Sequence, residues 1–255
     1  MPRHKKQATS VGLVPYYHYK NKHEKPLLVF MHGFGVKPER YERLLTLCAK
    51  KFDVIAPSLA AINIYDPQPT TLDQYVELAL EFMDRAGISP EITAGHSFGA
   101  SMVYGSSFYV QTLCVIGISP VLPVHFGFFG YLKGTYKIAQ DAMNDPEFKS
   151  HAAGFIPEYA LNLLKKPWNT VKTVKEISHN GYALDETTLD PDAAAVLIQC
   201  TKDQFFALDQ KQLKQLGKKL PNLEIVDVDF RHDYPLANPA HAAEYLCKYA
   251  RIRSY

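Results

Sequence analysis

The chain has 255 residues, 47% of them hydrophobic and 21% charged, with a formal net charge of +2. That length suits one domain carrying an insertion, and a core of that size needs no disulfide or metal staple. The near-balanced charge argues against nucleic acid or an anionic membrane as partner, and no apolar run approaches the roughly 20 residues of a membrane span.

The start, Met1 to Gln7, is basic and is not followed by an apolar segment, so it is not a secretory signal and reads as a disordered terminus. Residues 13 to 19 alternate weakly and suggest an antiparallel edge strand. Leu27 to Met31 is an apolar run with the look of a buried strand, and Pro38 then opens a helix in which Tyr41, Leu44, Leu45 and Cys48 recur at helical spacing. Val54 to Ala56 is the next strand. Thr71 is placed to cap a helix from Leu72 to Arg85 that ends at Gly87. Glu91 to Gly95 is a short strand running straight into a helix that begins near Phe98. Further strands are predicted over Thr112 to Ile118, Ala193 to Cys200 and Leu223 to Val228, before a closing helix from Pro239 to Tyr249.

Short apolar runs alternating with helical patterns predict an α/β fold, a mostly parallel central sheet with helices on both faces. Residues 119–188 break the rhythm. The stretch is too long for a plain connection and is interrupted by Pro146, Pro157 and Pro167, so it reads as an inserted helical cap, with residues 1–118 and 189–255 as the core. Its aromatic residues, Phe126, Phe128, Phe129, Tyr131 and Tyr136, either line a substrate pocket or pack the cap onto the core. The four cysteines, Cys48, Cys114, Cys200 and Cys247, have neither metal-ligand nor redox spacing and read as reduced core residues of a soluble, cytoplasmic protein.

Gly95-His-Ser-Phe-Gly99 fits G-x-S-x-G, with a strand before it and a helix after it. Such a turn lifts a serine hydroxyl clear of the sheet at a helix N-terminus, where developing negative charge is favoured. A serine hydroxyl needs a base, and His232 follows the last strand. The imidazole in turn needs a carboxylate to fix its tautomer. Asp203 follows the penultimate strand directly, which sets it ahead of Asp209, Asp229 and Asp233. His96, at the variable position of the turn, reads as packing, and most other histidines as surface residues. His32-Gly-Phe-Gly35 follows the strand ending at Met31, from which a backbone N–H can reach the hydroxyl. The amides of Phe34 and Phe98 are the candidate oxyanion donors.

These elements, in the order Ser, Asp, His, resemble the α/β-hydrolase superfamily, specifically serine hydrolases with a short helical cap such as carboxylesterases and monoacylglycerol-lipase-like enzymes. The resemblance runs from about Leu13 to Tyr249 and departs at Phe98-Gly-Ala100, where many relatives carry a further glycine, and at Cys200-Thr-Lys-Asp203, where many begin with glycine. It implies Ser97, Asp203 and His232 as a catalytic triad and Phe34 and Phe98 as the oxyanion amides. It also implies a small-molecule substrate, an ester with an apolar acyl or aryl group, contacted by His32, Gly33, Phe126, Phe129 and Tyr131, with no cofactor and no metal. Fold and triad do not set the chemistry, so a C–C bond hydrolase or lyase and a non-catalytic ligand-binding protein stand as the rival readings.

Overall fold

The computed structural model describes residues 2–59, 65, 68–121, 140, 168, 171–173, 175, 189–203 and 205–250. Eight strands form one sheet: β1 (Arg3–Thr9), β2 (Gly12–Tyr19), β3 (Leu27–Met31), β4 (Asp53–Pro57), β5 (Ile92–His96), β6 (Cys114–Ile118), β7 (Ala194–Cys200) and β8 (Leu223–Val228). They lie in the order β1-β2-β4-β3-β5-β6-β7-β8, with β3 to β8 mutually parallel and β2 antiparallel to both of its neighbours, β1 and β4. Every residue of β5 and β6 is buried, as expected of strands covered on both faces, and this explains why β6 reads as an unbroken apolar run.

Six helices are described: α1 (Glu42–Cys48), α2 (Leu72–Arg85), α3 (Phe98–Val110), α4 (Gln210–Lys219), α5 (Tyr234–Ala237) and α6 (Pro239–Tyr249). A 3₁₀ turn over Pro38–Tyr41 leads into α1, where a single continuous helix is expected from the sequence. On one face of the sheet Phe82, Phe98, Met102 and Tyr104 of α2 and α3 pack against Val29, Met31 and Val115. On the other, Leu44, Leu45 and Cys48 of α1 meet Ala242, Ala243 and Leu246 of α6 over Phe30, Ala94 and Ile116. Thr71 caps α2 through a reciprocal pair with Gln74, and Gly87 follows the helix at φ +62°, as its spacing predicts.

The N-terminal segment corrects the expectation of disorder. Residues from Arg3 to Thr9 pair with β2 along their whole length, from Arg3 opposite His18 to Thr9 opposite Gly12, so β1 is the outer strand and β2 lies second. Arg3, His4, Lys5 and Lys6 are all exposed, so the strand has no apolar face to announce it. Backbone pairing holds it instead, and Ser10 at the turn anchors the hairpin by giving its N–H and its hydroxyl to the Glu81 carboxylate of α2 at 2.7 and 2.6 Å.

The four cysteines are free, three of them buried and Cys247 half-buried. The fold brings two of them together, with the Cys48 thiol of α1 beside the Cys247 thiol of α6. Most of the expected cap falls outside the described residues. Within it residues 171–173 are helical, and buried Thr173 hydrogen-bonds Tyr75 of α2. Among the described residues no helix is long and apolar enough to cross a membrane.

Candidate active site

Ser97 stands between β5 and α3 with φ 55° and ψ −121°, a backbone conformation that side chains other than glycine rarely adopt. The flanking glycines are required by contact. A Cβ on Gly95 would overlap the Gly99 backbone, and one on Gly99 would overlap the Met31 and His32 carbonyls. The tight approach of α3 to β3 and β5 thus forces the turn, and the Ser97 N–H donates to the Ile118 carbonyl at 2.8 Å to fix it on β6.

The two strands at the far edge deliver the other groups. The turn after β7 holds Asp203, whose N–H donates to the Cys200 carbonyl at 3.0 Å, and the Lys202 N–H reaches the Phe230 carbonyl at 3.0 Å, joining that turn to the loop after β8. His232 on that loop has Nε2 at 2.9 Å from Ser97 Oγ and Nδ1 at 2.7 Å from Asp203 Oδ2. Asp203 Oδ1 accepts the N–H groups of Phe205 at 2.7 Å and Phe206 at 3.1 Å. Burial pushes the Asp203 carboxyl up, but the His232 charge and hydrogen bond and these two amides reverse the effect and hold it below its ordinary range. The rings of His96, Phe205 and Phe206 surround the imidazole at centroid distances of 5.0, 5.3 and 5.3 Å.

Two of the three competing carboxylates are committed elsewhere. Asp229 is exposed and pairs with Lys202 at 2.8 Å, Asp209 caps α4, and Asp233 is buried at the start of α5. Of the other histidines, His4 and His23 are exposed, His241 bonds the Tyr234 hydroxyl at 2.7 Å, and His151 and His179 lie outside the described residues.

The loop after β3 passes beside the serine. A Cβ built on Gly33 would lie 3.5 Å from the Ser97 Cβ, so this loop is within reach of the hydroxyl. Phe98 is the first residue of α3, where an N–H has no carbonyl of its own helix to bond. The rings of Phe34 and Phe98 meet edge to face at 5.6 Å, and Tyr75 closes the group at 5.0 Å from Phe98. His32 is only 1% exposed, with Nδ1 at 2.9 Å from the Gly33 carbonyl, and burial pulls its pKa down to about 4. The structure therefore sets His32 beneath the loop. Phe126, Phe129 and Tyr131 fall outside the described residues.

Four residues at the site escape sequence reasoning in their roles. Phe205 and Phe206 serve both the carboxylate and the imidazole ring. His96 and Tyr41 are bonded to one another at 2.7 Å, and Tyr41 looks in the sequence like any buried helix residue. The one available signal is the rule that a buried tyrosine hydroxyl must find a partner. No cluster of three or more His, Cys, Asp or Glu side chains suited to a metal occurs among the described residues.

This arrangement can be set beside known proteins. The chain is 38% identical over 79 residues to a putative non-heme haloperoxidase of a Mycobacterium phage, covering 30% of this chain and 28% of that one. It is 30% identical over 103 residues to a strigolactone esterase of Pisum sativum, covering 36% and 39%. The chain thus matches well under half the length of either relative. The crystal structure of an enol-lactonase from Burkholderia xenovorans superposes with a TM-score of 0.75 at 12% identity, covering 96% of this chain and 99% of that one, a likeness of fold alone. A family model described as the alpha/beta hydrolase family matches residues 28–243, from the strand ahead of the glycine loop to the helix beyond His232. With that match spanning most of the chain and the sheet order and serine turn in place, the protein belongs to the alpha/beta hydrolase family.

Proposed function

We propose that the protein is a serine hydrolase that cleaves small or medium carboxylic esters through an acyl-Ser97 intermediate. The observation that carries this reading is the unbroken line from Ser97 Oγ to His232 Nε2 at 2.9 Å and from His232 Nδ1 to Asp203 Oδ2 at 2.7 Å. His232 takes the Ser97 proton as Oγ bonds the ester carbonyl carbon, then gives that proton to the departing alkoxide as the ester C–O bond breaks. Water, deprotonated by the same nitrogen, attacks the acyl carbon, and the Ser97 Oγ leaves with the proton returned. Asp203 holds the tautomer in which Nδ1 carries hydrogen. The amides of Phe34 and Phe98 meet the oxyanion, each such donor being worth roughly 10²–10³ in turnover.

An ester with an apolar acyl or aryl group suits the Phe34, Tyr75 and Phe98 rings beside the serine, and two of the similar proteins are described as an esterase and a lactonase. In the same reading residues 119–188 are an inserted cap, and the four free thiols support a cytoplasmic location. A fluorophosphonate probe labels the wild type and spares Ser97→Ala, and p-nitrophenyl esters of rising chain length report the pocket. Equal labelling of both proteins would overturn the assignment.

A further inference from the structure

We propose that His96 and Tyr41 are positioning residues that tie the loop bearing Phe34 to the backbone of His232 by a single directed chain of hydrogen bonds. The inference rests on the serine-hydrolase reading for its consequence but not for its geometry. His96 Nε2 lies 2.7 Å from the His232 carbonyl oxygen. A carbonyl only accepts, so Nε2 carries the hydrogen. The buried imidazole is neutral, its pKa pulled down to about 3 by burial and then by the neighbouring His232, so Nδ1 is left as an acceptor. The Tyr41 hydroxyl, 2.7 Å from Nδ1, must therefore donate to it. Its oxygen is then open to the Gly33 N–H, which donates across 3.2 Å. Every proton in the chain is placed by these three bonds, from Gly33 N–H to Tyr41 hydroxyl to His96 to the His232 carbonyl.

The sheet gives this chain something to do. Gly33 follows β3 and His232 follows β8, and β5, β6 and β7 lie between them in the strand order. No ladder pairs β3 with β8 directly. The His96–Tyr41 chain spans it directly, and His96 is adjacent to Ser97 in sequence, so one side chain sets the oxyanion side and the imidazole side against the nucleophile. His96 is 4% exposed and Tyr41 1%, which isolates these bonds from competing water.

The test separates the two ends. Tyr41→Phe removes the acceptor of the Gly33 N–H, and His96→Gln breaks the chain between Tyr41 and position 96 while keeping an N–H for the His232 carbonyl. His96→Asn keeps an acceptor for Tyr41 and drops the link to His232. With a p-nitrophenyl ester, all three lower kcat roughly tenfold with KM nearly unchanged, as small misplacements of reacting groups do. An arylboronic acid forms a Ser97 adduct with a negative oxygen in the oxyanion site. Its affinity falls by a similar factor in Tyr41→Phe and His96→Gln, and stays within about twofold in His96→Asn. Thermal melting identifies any variant that fails to fold, and ¹⁵N NMR of the wild type reports the His96 tautomer without need of activity. The Nε2–H tautomer, with a Gly33 amide protected from exchange in wild type and unprotected in Tyr41→Phe, is the expected signature. Folded variants with wild-type kcat and boronate affinity, or a His96 in the Nδ1–H tautomer, would overturn the proposal. A wild type that the fluorophosphonate probe leaves unlabelled defeats the esterase reading instead, and the NMR arm then still decides the chain.

Discussion

Asp203 turns one carboxylate oxygen to His232 and gives the other to its own turn: Oδ2 sits 2.7 Å from His232 Nδ1 while Oδ1 accepts the Phe205 and Phe206 amides. The division makes Asp203→Asn a sharp probe. The amide oxygen can keep the two turn bonds, but its NH₂ then faces Nδ1 and favours the imidazole tautomer that places hydrogen on Nε2, toward the serine. We expect kcat to fall by roughly 10³–10⁴ with the melting temperature little changed. Retention of more than a tenth of the activity would show that Asp203 does not orient the imidazole.

Gly99→Ala is expected to prevent folding and not merely to slow turnover. The added methyl would overlap the Met31 and His32 carbonyls, which are backbone atoms of a central strand and the loop after it and have no flexible end to swing away. Overpacking of a well-packed core typically costs about 1–3 kcal/mol, and a clash with backbone should exceed that. Soluble yield and melting temperature check it; a folded variant of unchanged stability contradicts the contact.

Stability should fall on mild acidification. His32 and His96 stay neutral in the fold, with pKa values pulled from 6.5 to about 4 and about 3, while the unfolded chain takes up both protons near 6.5. Between those limits the unfolded state binds more protons, so unfolding free energy declines as pH drops, by up to about 1.4 kcal/mol per pH unit for each histidine. The Asp203 contribution has the usual carboxylate sign and disappears only below about pH 4. Urea titrations at pH 7, 6 and 5 measure the slope, and His32→Gln should flatten it; equal stability at all three pH values would contradict the buried neutral rings.

Cys247 should be the thiol that reacts. The neighbouring Cys48 thiol pulls it below the ordinary range and, against the opposing effect of burial, Lys51 adds to this. Burial pushes Cys114 and Cys200 up to about 12. Iodoacetamide at neutral pH is expected to modify Cys247 first, as read by peptide mass spectrometry. Its rate should rise with pH through a midpoint below that of an ordinary thiol, and that midpoint should move upward in Cys48→Ala. Faster modification of Cys114 or Cys200 would refute the assignment.

Strands β3 to β8 and helices α2, α3 and α6 are readable in the sequence because each carries a physical signature of its own, whereas the short helices α4 and α5 are not. Leu27 to Met31 and Cys114 to Ile118 are short apolar runs, Thr71 and Gln74 mark a helix start, and Gly87 a helix end. β1 has no such signature. Its residues face water, and what makes it a strand is a partner, β2, which a one-dimensional pattern of burial does not reveal. The serine, acid and histidine positions are legible for a related reason, since each follows a recognisable strand. Tyr41, His96 and the Cys48–Cys247 contact are not, because they depend on which helix or loop lies across from which, and chain spacing carries no record of that.

The left-handed backbone at Ser97 has a consequence beyond the reaction. A serine kept at φ 55° carries strain on the order of 1–3 kcal/mol, which a residue without a side chain would relieve. Ser97→Gly should accordingly melt later than the wild type. A laboratory selection that rewarded heat resistance alone would drift toward a sturdier molecule with nothing left to attack a substrate.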